Sequence, residues 1–258
     1  FFNSARRVAC KKPVVVLKGG RTQAGIHAAG SHTGAMATDA RVFDAACRQA
    51  GVIQVDQPME LLDLSAVFSS LPLPKGSRVG IMTLGGGWGV VAADLCAEYD
   101  LEVPELSPQI IKRLNEILPD YWSHGNPVDI VGEGDPEIPK VCMEELLKWD
   151  GCDAVIHLGV HGRRIIVENM VQSARRIDSD MDEKTVEMIT QMTRDGEMDY
   201  IRRMGELIQK YEKPVIGVSL MSDSASKTLY RLADNPYKGV FFPSPERAVK
   251  ALSGMVRY

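Results

Sequence analysis

Arg78-Val79-Gly80-Ile81-Met82-Thr83-Leu84 runs straight into Gly85-Gly86-Gly87-Trp88-Gly89, after which Val90 to Tyr99 takes on helical composition. An apolar run ending in glycines and followed by a helix is the repeating unit of an α/β fold. Glycines at a strand end let the chain turn sharply. They also leave backbone N–H groups pointing outward at the start of the next helix, where unpaired donors and the macrodipole favour an anion. The stretch is not a Walker A loop, because no Gly-Lys-Ser/Thr follows. Nor is it a dinucleotide fingerprint: the third glycine comes too early, and no acidic residue closes a second strand. Taken alone, it reads equally well as a purely structural turn.

Downstream the alternation continues. Ser107 and Pro108 open a helix to Leu118 as N-cap and first residue. Asn126 to Ile130 reads as a strand end or extended turn, Pro136 to Trp149 as a helix, Ala154 to Leu158 as a strand and Ile165 to Ile177 as a helix. Asp178 to Glu212, charged and rich in Met, reads as one or two solvent-facing helices. Then come a buried strand (Lys213 to Leu220), a helix (Ser224 to Ala233), a strand (Gly239 to Phe242) and a closing helix (Pro245 to Val256) capped by Ser244. Five β-α repeats predict a flavodoxin-like, doubly wound domain.

Upstream, Leu71-Pro72-Leu73-Pro74-Lys75-Gly76 can continue neither helix nor strand and marks a boundary. Before it, residues 1–10 read as the end of an amphipathic helix already under way. With no initiator Met, this predicts a fragment, or the ordered part, of something longer. Pro13 to Leu17 suits a parallel strand buried on both faces, and a loop of small residues leads to His32. Asp39 to Ala50 is a helix with Gly51 as C-cap, Val52 to Val55 a strand, and Met59 to Phe68 a helix. The expected class is α/β with parallel sheets, in two units: 1–72, a partial domain, and 73–258, the flavodoxin-like one.

The length of 258 residues agrees with two domains, each large enough for a core. With 45% hydrophobic and 25% charged residues the chain has the composition of a soluble globular protein. A net charge of -4 gives no electrostatic reason to expect nucleic acid or a membrane surface as partner. Five cysteines without a Cys-x-x-Cys pair read as reduced, mostly buried thiols of a cytoplasmic protein. No apolar run approaches the ~20 residues needed to cross a bilayer.

Ser31-His32-Thr33-Gly34 is the second feature with chemical potential. Imidazole titrates near neutrality and attacks phosphoryl groups readily, so a histidine among small residues can meet a large charged partner. A solvated histidine capping the next helix explains the tetrapeptide about as well. One Gly-rich turn and one accessible histidine coincide more naturally if the ligand is phosphate. Asn126 and Asp129 fall where the carboxyl edge of the second sheet is expected, although an Asx turn held by Pro127 is the simpler account. His157 and His161 lack a carboxylate at metal-binding spacing, and no metal is expected. Arg163-Arg164 reads as a solvated basic turn with some capacity for an anion, and Arg6-Arg7 and Arg175-Arg176 as outer helix faces. No serine triad is formed: Ser31 adjoins His32 in sequence, not across a site.

At these residues the chain resembles the NDP-forming acyl-CoA synthetases, relatives of succinyl-CoA synthetase. The likeness is carried by Lys12 to Lys18, Gly20-Arg21, Ser31 to Gly34, Gln49 to Val52, Leu73 to Lys75, the strand with Gly85 to Gly89, Ala92 to Asp94, Asn126 to Asp129, Lys213 to Val215 and Pro243 to Ala248. It implies that His32 is the catalytic residue, accepting a phosphoryl group from an acyl phosphate or from ATP and ferrying it between sites. Gly85, Gly86, Gly87, Ser31, Thr33 and Gly34 would bind the phosphate, with Asn126 and Asp129 at the site edge.

The resemblance further implies CoA, ATP/ADP or GTP/GDP, phosphate and Mg2+ as substrates of the whole enzyme, with no tightly bound cofactor. An ATP-grasp domain or subunit, a CoA-binding Rossmann domain and an oligomer are the implied partners. Trp88, where proline is common in the family, and Leu84-Gly85, where Asn-Ala is common, suggest a tighter or indole-shielded cradle. The competing expectation is a non-catalytic acyl-CoA- or nucleotide-sensing module of a protein acetyltransferase. A third is a domain that serves only as an assembly interface.

Overall fold

The structure, a computed structural model, describes residues 2–33, 39–132, 134–177, 182–223 and 226–258, with the backbone alone at His32 and Thr33. The chain forms two compact units, Phe1–Ser69 with Arg257–Tyr258, and Ser70–Val256.

In the first unit the order is α1 (Phe2–Ala9), β1 (Val15–Leu17), α2 (Gln23–Thr33), α3 (Ala40–Ala50), β2 (Ile53–Val55) and α4 (Pro58–Phe68). Its core joins Ala5 and Ala9 of α1 to Cys47, Ala50 and Val52, with Phe2, Val14, Val16 and Phe43 against them. Asp39 caps α3 by accepting from Arg41 N, and Gly51 closes it at φ 67°. β1 and β2 pair in parallel, Val15 opposite Ile53. Burial of β1 on both faces does not hold: Val15 and Val16 are half-buried and Leu17 is 38% exposed. Its β-branched run therefore reflects strand propensity more than enclosure.

The expected loop before His32 is instead largely helix. Thr22 Oγ1 accepts from Gly25 N at 3.2 Å and Ile26 N donates to Thr22 O at 2.8 Å, so Thr22 starts α2 as a capping residue. Ala24, Ala28 and Ala29 sustain it despite Gly25 and Gly30. Of the side chains described in α2, from Gln23 to Ser31, none is fully buried.

The second unit contains β3 (Val79–Thr83), α5 (Gly86–Glu98), α6 (Pro108–Asn115), β4 (Val128–Asp129), α7 (Glu137–Lys148), β5 (Ala154–Leu158), α8 (Arg163–Ile177), α9 (Glu183–Tyr211), β6 (Val215–Val218), β7 (Leu229–Arg231), β8 (Lys238–Phe242) and α10 (Pro245–Arg257). The sheet order is β4-β3-β5-β6-β8-β7, parallel except for β7. Up to β6 this is the doubly wound order with its switch point beside β3. β3, β5 and β6 are buried at every position, which is why their runs are unbroken and apolar. Arg78 pins the edge where β3 and β5 begin. Its Nε and Nη2 donate to the two oxygens of Asp153, each at 2.8 Å, and its backbone N donates to Oδ2 at 3.1 Å.

Two sequence expectations change here. The helix after the glycines begins at Gly86, not Val90, so the glycines belong to its first turn. The helix expected over Ser224 to Ala233 is not formed over the described part. Leu229–Arg231 pairs antiparallel with β8, and the β-branched and aromatic residues of Thr228-Leu229-Tyr230 favour that edge; Ser224 and Ala225 lie outside the described residues. The charged, Met-rich segment supplies one helix of 29 residues, capped by Asp182 on Lys184 N and Thr185 N.

Near its C-terminal end α9 is tied to α7 through Glu144, which accepts from Arg203, Lys210 and Tyr211 at 2.7, 2.9 and 2.9 Å. Burial alone would raise the Glu144 carboxyl. Hydrogen bonds from Lys210 and Tyr211 outweigh it and hold the group at about 2. Four of the five thiols are buried and Cys10 is exposed; burial pushes Cys96 and Cys142 up to about 12, as expected of inert core thiols. Among the described residues, no helix is long and apolar enough to cross a membrane.

Candidate functional site

β3 ends at Thr83, whose side chain shapes the turn into α5. Its Oγ1 donates to Gly85 O at 2.7 Å and accepts from Gly85 N at 3.3 Å. Gly85 is thereby fixed as the extended N-cap of α5, at φ -152° and ψ 133°. Gly86 and Gly87 become the first two helical residues, whose N–H groups have no acceptor within the helix. Among the described residues no protein group accepts from either amide. Sequence reasoning missed Thr83; a hydroxyl residue two positions before the capping glycine was the available signal.

Around these amides lies an open pocket of ≈ 350 Å³, lined by Thr83 to Trp88 with Leu158, Gly159 and Leu220. It sits beyond the carboxyl ends of β3, β5 and β6, beside the point where strand order reverses, the ligand position in this class of sheet. Leu84 N donates to Leu158 O at 3.0 Å and Gly159 N to Val218 O at 2.9 Å, so adjoining strands lock the floor. Trp88 lines the pocket and is 36% exposed, an indole wall beside it. A helix N-terminus with two open amides can hold a phosphoryl group by backbone donors and macrodipole, without a cationic side chain.

Asp129 adjoins this helix start. Its Oδ1 accepts from Val131 N at 2.8 Å, an Asx-type turn. Its Oδ2 lies 2.9 Å from where a Cβ on Gly86 would stand, so a side chain there would displace the carboxylate. The carboxylate stabilises the helix start and opposes a second anion there. Gly89 is closely packed: a Cβ would meet Pro127 Cβ and Thr83 Cγ2, both at 3.0 Å, and would push them aside.

Asn126 has a different use from the one expected at a site edge. Its Oδ1 accepts from Ile81 N at 2.9 Å, and Nδ2 donates to Val79 O and Pro104 O at 2.9 and 3.0 Å. The amide completes the ladder on the free flank of β3 and has no reach left for a ligand. Ser31 Oγ likewise donates back to His27 O at 3.2 Å, within its own helix. His32 and Thr33 occupy the final turn of α2, and Gly34 lies outside the described residues.

His157 and His161 form no metal pair. His157 is fully buried, with neither ring nitrogen hydrogen-bonded, and its ring stands edge-on to Tyr200 and Phe241. Burial, with His161 nearby, lowers it to about 3. His161 Nδ1 is 3.0 Å from Ser219 Oγ, and burial lowers this imidazole as well. Arg164 is neutralised by Glu168 and Asp223, at 2.6 and 3.1 Å, and so offers no open anion site. Among the described residues, no group of three or more His, Cys, Asp or Glu is placed to hold a metal ion.

The chain is similar in sequence and in fold to known proteins. Residues 1–68 match the family described as succinyl-CoA ligase like flavodoxin domain, and residues 79–216 match the Ligase-CoA domain. The alpha subunit of acetate-CoA ligase (ADP-forming) I of Pyrococcus furiosus is 30% identical over 261 residues, 100% of this chain and 49% of the relative. The 4-hydroxybutyrate-CoA ligase (ADP-forming) of Nitrosopumilus maritimus is 30% identical over 250 residues, covering 96% of this chain and 31% of that protein. The acetate-CoA ligase (ADP-forming) of Methanocaldococcus jannaschii is 39% identical over 137 residues, 53% of this chain and 20% of that one. The chain thus spans about half the length of these relatives, or less. In structure it is similar to the dinucleotide forming acetyl-coenzyme A synthetase 1 of Ca. Korarchaeum cryptofilum, solved with phosphate and ADP, at a TM-score of 0.71 and 24% identity over 100% of this chain and 49% of the other. With more than half of its length following the Ligase-CoA description, the chain belongs to the Ligase-CoA domain family.

Proposed function

We propose that this chain is the phosphohistidine-carrying portion of an NDP-forming acyl-CoA synthetase, which interconverts acyl-CoA, NDP and phosphate with a carboxylic acid, CoA and NTP. The observation that carries this reading is the open start of α5, where the Gly86 and Gly87 amides face a pocket and have no protein acceptor. The names of the three relatives described above, each an ADP-forming CoA ligase, supply the reaction class and favour ADP as the acceptor. The cytoplasm is the matching compartment.

In this reading the His32 imidazole attacks the phosphorus of an acyl phosphate. The N–P bond forms as the P–O bond to the acyl group breaks, and the carboxylate leaves. The phosphoryl group then passes to the terminal oxygen of the NDP, and the imidazole is restored. The amides of Gly86 and Gly87 hold the equatorial oxygens, while that of Gly85, expected to join them, is taken by Thr83 Oγ1, so catalysis is mostly positioning and electrostatics. Thr33 and Gly34 flank the carrier, and Asp129 borders the cradle.

The place of His32 in α2 has a physical consequence. The C-terminal end of a helix carries negative partial charge, and a phosphohistidine adds about two negative charges. Phosphorylation therefore disfavours the last turn and helps release the loaded residue from a helix already short of buried contacts. CoA binding and nucleotide binding fall to a Rossmann domain and to an ATP-grasp domain or subunit, with Mg2+ accompanying the nucleotide. The alpha-subunit name of the Pyrococcus furiosus relative agrees with such a division.

The test is to incubate the full-length protein with its ATP-grasp partner, Mg2+ and ATP labelled in the γ-phosphate. Acid-labile, base-stable label on the chain is expected, and it should vanish in His32→Ala. Label that persists in that variant removes His32 from the mechanism.

A further inference from the structure

On one side the sheet of the second unit ends at β7, which pairs only with β8. Thr228 O accepts from Phe241 N at 2.9 Å, so in this antiparallel ladder Thr228–Phe241 and Tyr230–Gly239 are the hydrogen-bonded pairs. Leu229 and Arg231, at the intervening positions, turn their N–H and C=O groups away from β8. Among the described residues no protein group pairs with those four groups. An open edge of this kind is a template for one more strand.

The edge borders a groove of ≈ 740 Å³, which shares no lining residue with the glycine cradle. A Cβ on Gly239 would meet Ile201 Cγ2 and Met204 Cε, so Gly239 and its partner Tyr230 stand on the α9 face of the sheet, and Leu229 and Arg231 on the other. Leu229, Tyr230 and Arg231 all line the groove, with Met198 and Ile201 of α9 as its apolar wall. Residues of opposite faces meet one space only across the edge of their strand, so the groove follows the open groups. Its charges are unevenly committed. Glu197 Oε1 accepts from Gly162 N and Arg164 N, both at 3.0 Å. Arg164 is held by Glu168 and Asp223, and Arg194 by Glu168 at 3.2 Å. Lys227 and Arg231, also in the lining, are exposed and form no ion pair among the described residues.

We propose that the open edge of β7 takes up an extended acidic segment of a partner protein as an added strand. The backbone of that segment pairs with Leu229 and Arg231, its carboxylates face Lys227 and Arg231, and the residues between them lay apolar side chains on Met198 and Ile201. The pattern recognised is an alternation of acidic and apolar residues. A second copy of this chain does not fit. Antiparallel pairing about Leu229 would set Lys227 opposite Arg231, and pairing about Arg231 would set the two guanidinium groups opposite each other, like charges either way. Docking here is independent of phosphoryl transfer, and its failure would leave that reading untouched.

The test adds to the full-length protein a fluorescent peptide of about nine residues alternating glutamate and valine, long enough to span the edge. Its lysine–valine counterpart and a backbone N-methylated glutamate–valine peptide are run beside it. Saturable binding of the first is expected by anisotropy, about tenfold tighter than either control, since the N-methylated chain keeps the charges and loses the hydrogen bonds. Hydrogen exchange should show protection gained at Leu229 and Arg231 and none at Gly86 and Gly87. Lys227→Glu combined with Arg231→Glu, two exposed changes that leave the pairing with β8 in place, should turn the preference toward the lysine peptide. The proposal is overturned by absence of binding, by equal binding of the N-methylated peptide, by binding without new protection at the edge, or by an unchanged preference in the double variant. Protection of the edge that grows with protein concentration alone would mark a second copy as the occupant and overturn it too.

Discussion

The helix that carries His32 and the helix that opens the glycine cradle are both rich in small residues, yet the structure holds them very differently. In α5, Ala92 and Cys96 are fully buried, Gly89 packs tightly on Pro127 and Thr83, and the start is clamped by Thr83. In α2 no side chain from Gln23 to Ser31 is fully buried, and a Cβ on Gly30 would meet nothing within 4 Å. Small residues in α5 serve close approach, and those in α2 leave it lightly held. A phosphoryl carrier wants this pairing: a fixed receptor and a segment that moves at little cost.

The largest expected effect tests that contrast directly. Amide exchange in α2 should proceed by local opening costing ~0–2 kcal/mol, while α5 opens only near the global unfolding energy, ~5–15 kcal/mol. Equal protection of the two helices would refute the comparison.

A second prediction concerns the core beneath the cradle. His157 is held at about 3, so it stays neutral in the fold while the unfolded chain takes up a proton below the ordinary value of 6.5. Stability should therefore decline as pH falls from about 6.5 toward 3, by at most ~1.4 kcal/mol per pH unit from this group, and His161 adds in the same direction. Denaturant titrations at several pH values should show a shallower decline in His157→Phe.

Glycine substitutions sharpen the contrast further. Gly89→Val should cost ~1–3 kcal/mol through overpacking, whereas Gly30→Ala should stabilise α2 by ~0.5–1 kcal/mol and slow its amide exchange. A comparably small effect is expected at Asp129→Asn. Removing that charge from the start of α5 should tighten phosphate binding severalfold, on the order of 1 kcal/mol, as read by calorimetry. Unchanged or weaker binding would mean that Asp129 does not oppose an anion at the cradle.

The parallel architecture was legible because buried strands such as Val79–Thr83 and Ala154–Leu158 must be continuous in apolar residues, and glycine after a strand has few uses. The cradle was legible for the same reason, whereas its organiser Thr83 was not, because one hydroxyl looks alike whether it caps or packs. Asn126 was misplaced, since an amide that completes a strand ladder has the same local sequence as one that faces a ligand. β7 escapes a local reading because the strand that fixes it, β8, lies further along the chain, although Thr228 and Tyr230 themselves favour an edge strand. The loop before His32 became a helix because Thr22 and three alanines outweigh two glycines.

Local patterning by itself determined the class, the glycine turn and the family likeness, because spacing of apolar and small residues is imposed one segment at a time. Only the tertiary structure decided which amides remain open, which carboxylate stands beside them and which strand edge is left unpaired. Those properties belong to groups brought together from distant parts of the chain, and no local pattern encodes whether a donor has found its acceptor.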